Sequence, residues 1–340
     1  MSAAQWLNRV WYERPAPPWW LMPLSLLYGA LARARRLAYA RHLRPVRRLH
    51  RPVVVVGNLS VGGTGKTPLV SWLAGRLREL GYRPGIVTRG YGGSVRRSRL
   101  VAPDADPAEV GDEALLLARR TGMPVAIGRR RPAAAQLLID RGCDLIVSDD
   151  GLQHYALERD CEIIVIDGDR RFGNGWLLPA GPLREGRERL AAADGIVVNG
   201  GRALIEGALS MRLEACAAVA LRGGRERPLE SFAGTCVHAV AGIGHPERFF
   251  NMLRSYGIEV EGHALPDHAP IRPADIRFAG GAPVLMTEKD AVKCASIADE
   301  RHWYVPVEVR FEEHESSALI ATVLDRIARA HPAAQRSLNG

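Results

Sequence analysis

Short apolar runs rich in valine and isoleucine alternate between residues 52 and 200 with longer stretches whose apolar residues fall at helical spacing. Runs of about four or five such residues, bounded by polar or turn residues, predict buried strands. The predicted strands lie at 53–56, 85–88, 124–127, 144–148, 162–166 and 195–199. The predicted helices lie at 67–80, 112–120 and 132–141. Strands that alternate with helices are typical of βαβ units around a parallel sheet, so we expect an α/β fold.

A second and weaker series of the same kind follows residue 200. It comprises predicted strands at 217–221, 237–241, 283–286 and 303–305, and predicted helices at 246–256 and 316–330. This series predicts a second, smaller α/β lobe, and the last helix could pack on either lobe. We therefore divide the chain into an N-terminal arm at 1–50, a core at 51–200, and a smaller lobe with the C-terminal helix at 201–340.

The N-terminal arm has its own pattern, because no charged residue lies between Arg14 and Arg33. Four of the seven tryptophans fall in the first twenty residues, as expected for side chains at a membrane interface. The apolar stretch at 19–32 has fourteen residues. As a helix it would reach about 21 Å, which is short of a hydrocarbon core of about 30 Å. The arm therefore predicts a membrane-associated helical segment that dips into one leaflet. A signal peptide and a helix buried against the core are the alternatives.

The distribution of charge bears on the partners of the chain. The first 51 residues account for the whole net charge of +9, since they hold ten arginines and one acid, Glu13. A nucleic-acid enzyme is expected to carry basic surface on its folded domain, and here that part is neutral. We expect no nucleic-acid partner, and we expect the arginines to face anionic membrane lipids. The five cysteines are widely spaced without zinc-ligand spacing, which favours reduced thiols in the cytoplasm.

The first predicted strand runs into a glycine-rich turn and then into a helix. This pattern predicts a phosphate-binding loop (P-loop) for ATP, in which backbone N–H groups face phosphate oxygens. Its predicted nucleotide-binding residues are Ser60, Gly62, Gly63, Thr64, Gly65, Lys66 and Thr67. Lys66 would reach the β- and γ-phosphates, and Thr67 would ligate Mg²⁺. The usual first glycine of the motif is replaced by Ser60.

Two aspartates, Asp149 and Asp150, end the apolar run at 144–148. A parallel strand that ends in carboxylates delivers them to the same sheet edge as the P-loop, where they can hold Mg²⁺ with Thr67. An ordinary solvated turn is the alternative, since an Asp-Asp-Gly sequence suits turns.

Phosphoryl transfer also needs a group that accepts the proton of the acceptor hydroxyl. Asp112 opens a predicted helix and could serve, although acids in a first turn often only compensate the helix dipole. His268, beside an aspartate in a predicted loop, has a structural alternative of the same kind. Arg184, with Arg187 and Arg189, could bind an anionic acceptor or form a solvated basic face.

At this point the sequence resembles the tetraacyldisaccharide 4'-kinase family of lipid A biosynthesis. The matching segments occur in the order of that family and cover most of residues 52–295. They are GNLSVGGTGKTP (57–68), TRGYGG (88–93), VGDEALLLARRTGMPV (110–125), SDDGLQH (148–154), LLPAGPLRE (177–185), AGIGHPERFF (241–250), PDH (266–268) and TEKDAVK (287–293). The resemblance implies two α/β lobes that close over ATP. It also implies transfer of the γ-phosphate to the 4'-hydroxyl of tetraacyldisaccharide 1-phosphate.

The resemblance also implies roles for individual residues. Asp112 is similar to the catalytic base and His268 to the group that pairs with it, while Lys66 keeps its role in the P-loop. Asp149 and Asp150 are similar to the acids on the magnesium side. Residues implied beside the acceptor are Glu113, Gln153, His154 and Arg184. The implied location is the cytoplasmic face of the inner membrane, peripheral or monotopic, with no obligate protein partner.

Three other functions compete with this interpretation. A membrane-associated regulatory P-loop ATPase would carry a lysine where this chain has Val61. A nucleotide-binding assembly factor would need no base near the γ-phosphate. A soluble kinase of small metabolites would not need residues 1–50.

Overall fold

The computed structural model describes residues 3–201, 205–215, 217–267 and 269–332. The helices are α1 Ala3–Tyr12, α2 Met22–Ala40, α3 Lys66–Glu79, α4 Pro107–Val110, α5 Asp112–Thr121, α6 Arg131–Asp140, α7 Pro246–Ser255, α8 Pro273–Ile276, α9 Glu288–Cys294 and α10 Glu313–Ala330. Short 3₁₀ turns lie at Trp19–Leu21, Arg187–Ala192 and Leu229–Phe232.

The first eight strands are β1 Val53–Gly57, β2 Pro84–Thr88, β3 Arg99–Leu100, β4 Val125–Ile127, β5 Leu145–Asp149, β6 Cys161–Asp167, β7 Gly195–Asn199 and β8 Leu209–Glu214. The others are β9 Ala217–Ala220, β10 Glu226–Pro228, β11 Cys236–Ala241, β12 Glu259–Ala264, β13 Val284–Thr287, β14 His302–Val305 and β15 Glu308–Phe311.

The larger sheet has nine strands within the described residues, in the order β15-β8-β7-β6-β1-β5-β2-β4-β3. Its strands are parallel except for the two edge strands, β3 and β15, which pair antiparallel with their neighbours. The central strand β1 is buried along its whole length because helices cover both faces of the sheet. Val54 and Val56 pack in the cluster that contains α3 and α5, whereas Val53 and Val55 pack with α6. The α/β class predicted from the alternating pattern is confirmed.

The smaller sheet runs β10-β9-β14-β13-β11-β12 and packs its own core around Phe232, Phe250 and Trp303. In the chain it lies between β8 and β15, which pair with each other in the larger sheet. The apolar face of α10 also packs on the larger sheet, through Leu319 and Val323 among others. The smaller sheet therefore accounts for residues 217–305 of the predicted lobe at 201–340. The flanking strands β8 and β15 pair within the larger sheet, and α10 packs on β6 and β8 of that sheet, so these three elements belong with the larger lobe.

The N-terminal arm packs on the larger lobe with one side only. Trp11 donates a hydrogen bond from Nε1 to the carbonyl of Pro179 (2.9 Å), and the Ser25 hydroxyl donates to the carbonyl of Leu177 (2.7 Å). The other side of α2 and the turn before it leave Trp19, Leu27 and Leu31 78%, 58% and 62% exposed. Across the described part of the chain, no helix combines the length and the apolar character needed to cross a bilayer.

Candidate active site

The P-loop connects the end of β1 to the start of α3, at the centre of the larger sheet. Two of its glycines take left-handed backbone angles, with φ of 110° at Gly62 and 92° at Gly65. A side chain at Gly65 would also overlap the Asn199 amide, which donates to the carbonyl of Thr64 (3.0 Å). Glycine is needed there for both reasons. Ser60 is buried and bridges to Leu183 as an isolated β-pair, so a small residue fits the position without glycine.

The acids of β5 lie beside this loop because β5 pairs in parallel with β1. The Thr67 hydroxyl donates to Asp149 Oδ2 at 3.2 Å, and Lys66 Nζ lies 3.5 Å from Asp150 Oδ1. Asp149 is buried, and its other oxygen, Oδ1, has no hydrogen-bond partner among the described residues. Burial, assisted by the charge of Glu113, raises the pKa of Asp149 well above its ordinary value. A buried carboxylate with a spare oxygen beside a hydroxyl is a donor set that suits Mg²⁺.

Asp150 belongs to a second polar group at the mouth of the loop. Arg184 Nη1 donates to both of its oxygens, at 2.9 and 3.0 Å, and lies 3.3 Å from Gln153 Oε1. Burial alone would raise the pKa of the Asp150 carboxyl, but the charges of Lys66 and Arg184 hold it well below its usual range. Asp150 is therefore ionised at neutral pH. Its backbone is left-handed, with φ of 49°, a conformation that aspartate tolerates better than most residues.

His154 and Arg131 support the two aspartates from the side of α6. Arg131 is buried, and its Nη2 donates to the carbonyl of Asp149 at 3.0 Å. Its backbone N–H donates to His154 Nε2 at 3.3 Å. Burial, reinforced by the charges of Arg131 and Arg159, lowers the pKa of His154 to about 4, so this ring is neutral at pH 7. Sequence reasoning missed Arg131, because it ends a run of three arginines and nothing in the run marks which of them is buried.

The N-terminus of α5 brings Asp112 and Glu113 to the same region. Asp112 is 5% exposed, and its Oδ1 accepts the backbone N–H of Glu113 at 2.9 Å. The negative charge of Glu113 contributes to the raised pKa of Asp149 at the end of β5. The structure thus brings together the predicted residues of the P-loop, β5 and α5. His268 lies outside the described residues.

Two lysines from the smaller lobe reach these acids, and sequence reasoning gave neither of them a role. Lys293 Nζ, on α9, lies 3.8 Å from Asp112 Oδ2 and 3.0 Å from Asp290 Oδ1. Lys289 Nζ lies 3.1 Å from Glu113 Oε1 and 3.0 Å from Asp267 Oδ1. The signal was available, since both lysines belong to the segment TEKDAVK.

A second contact closes the smaller lobe over the P-loop. A Cβ built on Gly244 would stand 3.2 Å from the backbone nitrogen of Gly63. Arg170 donates to the Gly244 carbonyl at 3.0 Å and stacks on Tyr12 of the arm, 4.6 Å from the ring centre. From α7, Arg248 donates to Asn199 Oδ1 at 3.0 Å. The loop is therefore enclosed by the larger lobe, the smaller lobe and the arm.

Two of the three arginines at 184–189 are engaged in other contacts. Arg189 is buried, and it pairs with Glu162 and lies 3.6 Å from Glu185. Arg187 stacks on Phe172 at 4.7 Å. Arg184 alone of this group contacts the acids beside the P-loop in the described structure.

These features define a P-loop kinase of two α/β lobes. The parallel sheet leads into a glycine-rich loop with a lysine and a hydroxyl, two acids lie beside that loop, and the second lobe covers it. The chain belongs to the family described as LpxK, tetraacyldisaccharide-1-P 4'-kinase, whose sequence profile matches residues 17–326.

Individual relatives agree with this membership. The chain is 52% identical to the tetraacyldisaccharide 4'-kinase of Alkalilimnicola ehrlichii, over 97% of this chain and 99% of that one. It is 47% identical to the enzyme of the same name from Methylobacillus flagellatus, over 96% and 97%. The crystal structure of "apo" form LpxK from Aquifex aeolicus in complex with ATP matches with a TM-score of 0.74 and 28% identity, over 90% of this chain and 97% of that one. The chain is therefore an ATP-dependent kinase, which decides against the regulatory ATPase.

Proposed function

We propose that this kinase transfers the γ-phosphate of ATP to the 4'-hydroxyl of a tetraacylated glucosamine disaccharide 1-phosphate, using Mg²⁺, at the cytoplasmic face of the inner membrane. The observation that carries the proposal is the convergence of Lys66, Thr67, Asp149 and the start of α5 at one sheet edge, in a chain of this family.

The residues of the P-loop would bind and orient the triphosphate. The backbone N–H groups of Gly63, Gly65 and Lys66 and the N-terminus of α3 favour phosphate oxygens, and the Lys66 ammonium would neutralise charge on the β- and γ-phosphates. Thr67 and Asp149 would hold Mg²⁺, with Asp150 nearby. The ion, when bound, supplies positive charge to the phosphate oxygens.

Asp112 would act as the general base. Its carboxylate would accept the proton of the 4'-hydroxyl while that oxygen forms its bond to the γ-phosphorus and the bond from phosphorus to the ADP oxygen breaks. Lys293 Nζ, 3.8 Å from Asp112 Oδ2, would orient this carboxylate from the smaller lobe. We further propose that His268 pairs with Asp112, as the family resemblance implies.

The acceptor would approach between the P-loop and the arm. Arg184 contacts Asp150 with its side chain, and its backbone carbonyl accepts the Tyr28 hydroxyl of α2 at 3.2 Å. Arg184 and Gln153 would therefore lie beside the entry path of a phosphorylated sugar whose acyl chains are held in the membrane next to the arm. Glu113 and His154 would complete the acceptor side. The exposed apolar side of α2 would lie in the leaflet that holds the acyl chains.

The test is a transfer assay with purified protein, ATP labelled on the γ-phosphate, Mg²⁺ and mono-phosphorylated lipid A disaccharide in detergent micelles. We expect a doubly phosphorylated, labelled lipid that depends on both Mg²⁺ and the acceptor. Release of labelled inorganic phosphate with no labelled lipid would contradict the proposal. An acceptor whose 4'-hydroxyl is blocked serves as the control, since it should receive no label.

A further inference from the structure

We propose that His238, Glu261 and His263 form a binding site for a divalent transition metal of the Zn²⁺ class, on the smaller lobe. The site does not overlap the P-loop or the acids at 112, 149 and 150, and it does not depend on the proposed acceptor. Its three side chains come from two neighbouring strands, β11 and the edge strand β12.

The strand register explains why three such side chains meet. In the parallel pairing of β11 with β12, His238 lies directly opposite Glu261. Side chains in a strand alternate between the two faces of the sheet, so His263, two residues after Glu261, points to the same face. Gly262, between them, faces the other side, where a side chain would meet the ring of Phe250. The chain thus places two imidazoles and a carboxylate in one row.

The distance between the two imidazole nitrogens, and that from one of them to the carboxylate, are close to those around a tetrahedral ion. His238 Nδ1 lies 3.2 Å from His263 Nε2 and 3.3 Å from Glu261 Oε2. His263 Nε2 lies 3.7 Å from Glu261 Oε1, and the three ligand groups fall within 4.8 Å of one another. Zinc bonds of about 2.0–2.1 Å at tetrahedral angles separate ligand atoms by about 3.3–3.4 Å. The two histidines face different oxygens of Glu261, so the carboxylate must turn to bring one oxygen close to both nitrogens, and its exposed side chain has room to do so.

The surroundings favour a metal that prefers nitrogen ligands. Phe278 stacks on both imidazoles, with ring centres 4.1 Å from His238 and 4.2 Å from His263. The rings stand at the rim of an apolar cluster that includes Val240 and Ile276. Neutral imidazole suits Zn²⁺, Cu²⁺ and Ni²⁺, whereas Mg²⁺ prefers oxygen. The Glu261 side chain is 59% exposed, so a water can fill the fourth position from solvent.

An ion at this site would link the edge strand β12 to its neighbour β11. Both strands lead at their carboxyl ends to the kinase site, since β11 precedes Gly244, which lies against the P-loop, and β12 precedes Asp267, which pairs with Lys289. The bound metal would therefore stiffen the part of the smaller lobe that meets the P-loop and the start of α5. We expect it to raise the melting temperature of the protein.

The experiment titrates ZnCl₂ into full-length, tag-free protein that has been stripped with EDTA and dialysed into buffer with excess Mg²⁺, which occupies oxygen-rich sites. Isothermal titration calorimetry should give one equivalent bound. The variants Glu261→Gln and His263→Gln should bind at least about tenfold more weakly. The matched control is His314→Gln, because His314 is exposed on α10 and should leave the affinity unchanged.

A second measurement needs no variant. Addition of Co²⁺ to the stripped protein should give the visible absorption of a tetrahedral site, and Zn²⁺ should abolish it. Circular dichroism confirms that the variants are folded. Failure of the wild-type protein to bind Zn²⁺ saturably would overturn the proposal, and so would an affinity that neither Glu261→Gln nor His263→Gln lowers. Absence of the Co²⁺ bands would also overturn it.

Discussion

Lys66 faces Asp150 across the P-loop, with its ammonium 3.5 Å from a carboxylate whose pKa is held low. We expect Lys66→Ala to lower kcat by about 10²–10³-fold, because the change removes the proposed donor to the transferring phosphate. The fold should survive, and differential scanning fluorimetry should show a melting temperature close to that of the wild type. Arg76→Ala, on the exposed face of α3, is the control and should keep full activity.

Asp112 is the residue whose removal tests the chemistry most directly. We expect Asp112→Ala, and the nearly isosteric Asp112→Asn, to lower kcat by about 10²–10⁴-fold, because either change removes the proposed acceptor of the hydroxyl proton. The dissociation constant of ATP, measured by calorimetry, should change little. Glu109→Gln, one turn before α5 and paired with Arg99, is the matched control. Near-normal turnover in Asp112→Asn would mean that another group is the base.

The sequence predicted the residues whose chemistry is visible in a local pattern, and their roles stay predictions. Thr67, Asp149 and Asp150 follow from a strand that feeds a loop or ends in acids. Arg131 and Asn199 could not be predicted in this way. Each is distant in sequence from the residue to which it donates, and the strand order brings it to the site.

At the scale of elements, buried strands were predicted well, and exposed edge strands were not. Their periodicity explains the difference. The interior strands β1, β5 and β6 are apolar on both faces and therefore visible as continuous runs. The edge and near-edge strands β8, β12 and β15 alternate polar and apolar residues over only four to six positions, and their burial depends on partners elsewhere in the chain.

Two glycines, one just before α3 and one inside it, offer an element-scale test of the P-loop. In Gly65→Ala a left-handed backbone, which costs a non-glycine residue about 1–2 kcal/mol, combines with overlap on Asn199, so ATP affinity should fall by about tenfold or more. Gly75→Ala, inside α3, meets nothing within 4 Å and should stabilise the protein by about 0.5–1 kcal/mol.

Calorimetry with ATP and denaturant unfolding separate the two effects. The prediction is wrong if Gly65→Ala binds ATP like the wild type, or if Gly75→Ala weakens ATP binding as much as Gly65→Ala does.

At the scale of the whole molecule, one side of the arm packs on the larger lobe and the other side is exposed. We expect the double variant Leu27→Glu with Leu31→Glu to reduce pelleting with anionic vesicles by about tenfold or more, since each leucine contributes about 1.5–3 kcal/mol when buried in an apolar phase. Both side chains are more than half exposed, so the free energy of unfolding should change by less than about 0.5 kcal/mol each.

The matched control is Leu80→Glu, which alters a leucine of similar exposure, 44%, at the end of α3 on the larger lobe. It should pellet like the wild type. Equal pelleting of the arm variant and the wild type would contradict membrane contact through this face of α2.

The smaller lobe leaves the larger sheet after β8 and returns at β15, and the two crossings are neighbours, because Glu214 lies opposite Glu308 in the pairing of these strands. A body attached through two adjacent chain segments can swing about that single point as a hinged flap, with few backbone angles changing. Such a swing would lift Gly244 away from the P-loop and let ADP leave while both sheets keep their hydrogen bonds.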